Sequence, residues 1–167
     1  SLSTTYAGGN GLAGNMFDVL VGADSITITE LSLSIYSAGS SASVEFWIRT
    51  GTILDGLNSS DGWTKVDSAV LTSAGPGNAV VWDIVDLALD ANTLYGFYVT
   101  TTGAPALSYT NGTAVGAVAA SDDALTIYEG YGKTYAFSGA ANPRVWNGTI
   151  TYELAAVAAD VPLPAAA

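Results

Sequence analysis

The 167-residue chain has no His and no Cys, and four Lys plus Arg face fifteen Asp plus Glu, a net charge of -11. Thiolate ligation, disulfides, Cys or His nucleophiles and imidazole bases are thereby excluded, as is a basic surface for nucleic acid or anionic lipid. Only 11% of residues are charged, against the usual quarter, so Ser, Thr, Asn and Gly must clothe much of the surface, and part of it is expected to lie against another subunit.

The length suits one domain with a full core. Residues 1–15 (SLSTTYAGGNGLAGN) are rich in Gly, Ser and Thr and read as an N-terminal arm or leader. As an arm it would add to a neighbouring subunit's sheet through main-chain hydrogen bonds, with Leu2, Tyr6 and Leu12 as apolar anchors of one parity. Residues 16–153 carry the pattern of a β-sandwich domain. MFDVLV (16–21) opens it. In ITITELSLSIY (26–36) the apolar phase passes from Ile26 and Ile28 to Leu31, Leu33 and Ile35, the slip that a β-bulge near Glu30 produces.

VEFWIRT (44–50) sets Val44, Phe46 and Ile48 on one face and Glu45, Trp47 and Arg49 on the other. A polar loop follows over 51–62. Residues 63–72 and 78–85 read as strands divided by the turn signal SAGPG, and 86–92 as a connector. TLYGFYVTT (93–101) is a strand, and 105–110 a shorter one ending at Asn111-Gly112, a turn signal. The piece 113–120 has no clear period, 124–129 is a strand, and 130–142 reads mostly as loop. RVWNGTITYE (144–153) reads as the closing strand, bent at Asn147-Gly148. Residues 154–167 form a small-residue tail.

The pattern predicts an all-β fold, a two-sheet β-sandwich of jelly-roll or Greek-key type with eight or nine strands. Phe46, Ile48, Phe97, Val99, Trp146 and Ile150 are its expected core.

Carboxylates are the only catalytic currency, and their spacing matches no calcium repeat. Calcium, where bound, is expected to be structural, in loops holding Asp55, Asp61 or Asp122. The alternatives Asp83/Asp86 and a Glu45/Glu129 pair of glycosidase type have weaker support, and no Ser-based hydrolase motif occurs. Each rare cation, Arg49, Lys133 and Arg144, is expected to pair with a carboxylate such as Glu45, Glu129 or Glu153. Trp47, on the polar face of its strand, and Trp63, beside a loop, are candidates for stacking on sugar rings.

The tail segment Val161-Pro162-Leu163-Pro164-Ala165-Ala166-Ala167 resembles the VPLPA variety of the PEP-CTERM sorting signal of Gram-negative bacteria. The body resembles a group of exported bacterial β-domains through NMFDV (15–19), ITIT (26–29), residues 44–51, GWT (62–64), YTNG (109–112), 125–135 and 144–152. These resemblances imply export and a cell-surface or extracellular location, with membrane contact only through a C-terminal helix that is either removed by processing or lies outside this sequence. Together the readings give an extracellular, non-enzymatic structural protein of the matrix or biofilm, self-associating into a homopolymer or filament. The alternative is a carbohydrate-binding β-sandwich with a polysaccharide partner; no cofactor is expected.

Overall fold

The computed structural model describes residues 1–155, so the segment resembling a sorting signal lies outside the described residues. The chain is all-β. Its strands are β1 (Leu2–Ser3), β2 (Asn10–Leu12), β3 (Gly14–Val21), β4 (Ile26–Ser34) and β5 (Ser41–Thr50). After a 3-10 turn at Ile53–Asp55 come β6 (Thr64–Thr72), β7 (Ala79–Leu89), β8 (Leu94–Thr101), β9 (Leu107–Asn111) and β10 (Val118–Ser121). The last four are β11 (Leu125–Tyr128), β12 (Gly130–Thr134), β13 (Ser138–Val145) and β14 (Gly148–Leu154). No described helix is long and apolar enough to cross a membrane.

The strands form two sheets. The small one runs β1-β14-β4-β7; the large one runs β2-β9-β13-β12-β3-β8-β5-β6, with β11 on the second half of β3 and β10 outside it. Period-two alternation drives the inner faces together. Phe46, Phe97, Val99, Trp146 and Ile150 are all within 1% of full burial, while Ile48 is half-buried against the same cluster. Phe17 stacks on Trp146 at 4.8 Å between centroids, and Phe97 packs on both Phe17 and Phe46.

The expected bulge is present: Thr151 pairs with Glu30 but Tyr152 pairs with Ile28, so Thr29 is the extra residue. That slip lets Ile26 and Ile28, then Leu31 and Leu33, all reach the core.

Three expectations need correction. Among the described residues the strands number fourteen, because the Gly- and Ala-rich stretches 118–121, 130–134 and 138–145 pair through backbone without an apolar period. Residues 86–89 continue β7, with Leu89 in the core. The stretch 144–153 is not one strand: the chain leaves the large sheet at Val145 and enters the small sheet at Gly148. Gly148 makes that crossing, since a Cβ there would lie 2.1 Å from the Trp146 ring.

Candidate interaction surfaces

The outer face of the large sheet carries a second, aromatic cluster: Met16, Ile53, Trp63 and Tyr98, with Trp47, Leu57, Tyr131 and Phe137 packed on it. Two segments cover it, the loop 51–63 and the connection between β12 and β13. Strand register places Asp18 and Arg49 on either side of Gly96. A side chain at Gly96 would strike the Arg49 stem at 2.7 Å, so glycine is what lets Arg49 lie flat across β8. Asp18 accepts bonds from Thr52 Oγ1 (2.7 Å) and the Ile53 amide (2.8 Å), pinning the loop's start. Burial raises the Asp18 carboxyl above its ordinary range; these bonds and the Arg49 charge oppose the rise.

The Arg49 guanidinium sits 5.6 Å from the Trp63 ring centroid, and Trp63 Nε1 donates to Gly56 O at 2.9 Å. Lys133 is fully buried. Its Nζ donates to Leu57 O (2.6 Å), Gly139 O (2.5 Å) and, more weakly, Asn58 Oδ1 (3.4 Å), clasping the loop 51–63 to the start of β13, where the second covering segment ends. Burial pushes its ammonium pKa down. Arg144 Nη1 donates to Pro143 O. The cations thus engage carbonyls and an indole rather than the carboxylates expected. Glu129 instead accepts from the Thr113 and Ala114 amides and Thr113 Oγ1, tying down the chain after β9. Desolvation opposes ionisation there, but those bonds outweigh it and leave the Glu129 pKa lowered.

Trp63 is 7% exposed, so its ring faces Tyr98, Phe137 and Arg49 and cannot serve as a sugar platform. Trp47 is half-buried, edge-on to Phe137 and with Lys65 Nζ 5.7 Å from its ring centroid. Its Nε1 donates to Glu45 Oε1 at 3.0 Å, and Tyr135 OH donates to Glu45 Oε2 at 3.0 Å. Sequence reasoning missed Tyr135 because it lies in a stretch read as loop.

Asp55 and Asp61 are exposed and lie in the loop 51–63. Asp122 lies far along the chain in the β10–β11 turn, where Oδ1 accepts the Ala124 and Leu125 amides and Oδ2 accepts Tyr152 OH at 2.6 Å. Among the described residues, no three carboxylates gather into a set that holds a metal ion.

Residues 1–15 are folded into the domain rather than forming a separate leader. Leu2 is buried opposite Ile150, and Ser3 pairs with Thr149. Thr4 Oγ1 donates to Trp146 O at 2.5 Å. Tyr6 lies on the outer side of the small sheet, its hydroxyl 2.9 Å from Thr149 Oγ1. Gly8 and Gly9, both at positive φ (64° and 104°), then turn the chain toward the large sheet, where β2 pairs with β9. Leu2, Tyr6 and Leu12 therefore do not share a face, because that glycine turn breaks the strand period. One short segment supplies an end strand to each sheet.

The opposite ends of the sheets are β6 and β7. Both are bulged, at Val66 and around Ile84–Asp86, and Asp67 Oδ2 takes the Val85 amide across the gap. Val70, Val81 and Val85 remain more than half exposed there. Bulges and inward carboxylates are devices that blunt an edge; exposed valines are not.

The fold and surfaces define a class, an all-β two-sheet domain with a capped aromatic face. Beyond that class, no family model matches the chain and no curated protein matches it.

Proposed function

We propose that this protein is an exported structural subunit, at the cell surface or in the extracellular matrix of a Gram-negative bacterium, that polymerises by exchanging its N-terminal segment. The observation that carries the reading is the placement of residues 1–12. They supply the end strand of both sheets, yet join the domain through a single connection at Ala13. A segment so placed can make the same contacts on a second copy, and head-to-tail exchange that does not close gives an open filament. The few charges, the hydroxyl-rich surface and the tail's resemblance to a sorting signal support export. Within this reading the sandwich is of Greek-key type, since the chain leaves β6 for the small sheet and returns as β8 beside β5.

The test uses the absence of cysteine. Ser3 and Thr149 are cross-strand partners with hydroxyl oxygens 2.7 Å apart. Singly substituted S3C and T149C proteins are unfolded, mixed, refolded and mildly oxidised. Exchange yields an intermolecular Ser3→Cys to Thr149→Cys link, identified by peptide mass, in material that forms filaments by electron microscopy. If the mixture gives no such link, while a doubly substituted S3C/T149C chain links only within itself, segment exchange is wrong.

A further inference from the structure

Beyond the capped cluster, the outer face of the large sheet ends in hydroxyls around one carboxylate. Register sets Thr100, Glu45 and Ser68 in one cross-strand row. In the next, Ser43 pairs with Val70 and its carbonyl accepts the Thr102 amide. Two open depressions meet at Thr102. One, of about 380 Å³, runs from Gly11–Ala13 to Thr134 and Tyr135; the other, of about 300 Å³, runs over Ser43, Glu45 and Ser68 to Val70. Each is the size of a small-molecule pocket, but both are open, so their shape suits a polymer laid across the face.

We propose that this groove binds a neutral polysaccharide, with Tyr135 as the stacking platform and Glu45 as the acceptor for sugar hydroxyls. Tyr135 is 41% exposed while its hydroxyl is held by Glu45 at 3.0 Å, so the ring is oriented before any ligand arrives and little freedom is lost on stacking. Glu45 is aimed by Trp47 Nε1 and Tyr135 OH, one on each oxygen, and its remaining lone pairs accept charge-assisted bonds from vicinal hydroxyls. Ser43, Ser68 and Thr102 are exposed around it and both donate and accept. Lys65, on the neighbouring strand, is engaged over the Trp47 ring. With Glu45 central and a chain charge of -11, uronic or sulfated chains are repelled. Gly11 and Leu12 at one end of the groove belong to the exchanged segment, but they line it in the same way whether they come from this chain or from a second copy, so the test reads equally in monomer and polymer.

The experiment is equilibrium dialysis of the full chain against reducing-end-labelled hexasaccharides: β-1,4-glucan, α-1,4-glucan, β-1,4-mannan, β-1,4-xylan and a hexauronate, plus an uncharged hexapeptide. At least one neutral sugar is retained and the hexauronate is not. Tyr135→Ala weakens retention about tenfold, the loss expected for one aromatic contact. Tyr135→Phe, which keeps the ring, retains most of it, and Glu45→Gln weakens it several-fold. Retention of no neutral sugar overturns the proposal, as does unchanged binding by Tyr135→Ala or preference for the hexauronate. Retention of the hexapeptide alone makes the groove a peptide site and overturns it equally.

Discussion

Replacing Lys133 with Met tests whether a buried cation holds the cap of the aromatic face in place. Met has nearly the same length and fills the same channel, so the comparison isolates the ammonium. The wild-type Nζ has two short bonds, to Leu57 O and Gly139 O, and its 3.4 Å contact with Asn58 Oδ1 adds little. A hydrogen bond to a charged group contributes about 1.5–3 kcal/mol, and an orphaned buried acceptor costs about 1–3 kcal/mol. Removing the charge also removes its desolvation penalty, and Gly139 borders solvent, where water replaces part of the loss. The net expectation is a loss of about 2–4 kcal/mol, the scale of two orphaned carbonyls, or a fall in Tm of about 5–15 °C for a domain of this size. Urea titration followed by Trp fluorescence measures the global loss, and hydrogen exchange at Asn58 and Gly139 reports the loosened loops. The exposed Lys65→Met serves as control. If Lys133→Met matches wild type within about 0.5 kcal/mol, the ordinary surface range, with unchanged exchange, Lys133 does not clasp the loop to β13.

Three further outcomes follow from the geometry. Gly130→Ala is expected to lose more than about 3 kcal/mol, at the upper end of overpacking costs, because its Cβ would lie 2.0 Å from Met16 O in the middle of β3. Gly22→Ala, whose nearest atom is Asp123 O at 3.1 Å, is expected to lose far less, as melting curves will show. In alkali, burial raises the pKa values of Tyr6, Tyr98 and Tyr109, and burial with Asp122 pushes Tyr152 up to about 12. The folded state keeps protons that the unfolded chain loses above pH 10, so stability falls between pH 10 and about 12. Lys133, lowered by burial, acts in the opposite sense just below pH 10.5; Tyr152→Phe should flatten the loss, and Lys133→Met should remove the opposing rise. In acid, the lowered pKa of Glu129 contributes stability above pH 4.5 that disappears as pH falls through its folded value. Glu129→Gln should remove that dependence and speed exchange at Thr113 and Ala114, whereas Asp18, raised by burial, leans the other way and Asp18→Asn should steepen the acid loss.

The fold was legible wherever side chains alternate. Val44–Thr50 and Thr93–Thr101 showed their inner faces because half-buried strands must repeat every second residue, and the bulge at Thr29 was visible as a slip of phase. The strands at 118–121, 130–134 and 138–145 were invisible for a physical reason. Their pairing rests on backbone hydrogen bonds and close approach, which Gly and Ala permit without any apolar signature. Gly132, with the Tyr109 hydroxyl 2.3 Å from where a Cβ would be, is such a position. The site was legible only in part. The parity of β5 puts Trp47 on the outer face, where it is half-buried against Phe137, but whether an indole beside a loop is covered depends on where the loop lies. The loop 51–63 is placed by Arg49 from β5 just before it and by Asp18 and Lys133 from β3 and β12, far away in the chain. No local pattern carries that information.

The two sides of the sandwich differ in how their edges are finished, and the difference bears on assembly. On one side the ends belong to β1 and β2, whose five residues are continuous with a single crossing segment. On the other, β6 and β7 are bulged and joined through Asp67 and Val85. Edge-to-edge pairing at the bulged side would have to straighten both strands and break that bond, so it is the poorer route to a polymer. Exchange of the first twelve residues needs no new contact, because every bond lost within one chain is regained between two. Its equilibrium is then set by concentration and by repulsion between copies that each carry -11. Salt screens that repulsion over about 8–10 Å at moderate ionic strength, so polymer formed by exchange should increase with salt. A polymer held by complementary surface charges would dissolve under the same conditions, and light scattering across a salt series separates the two.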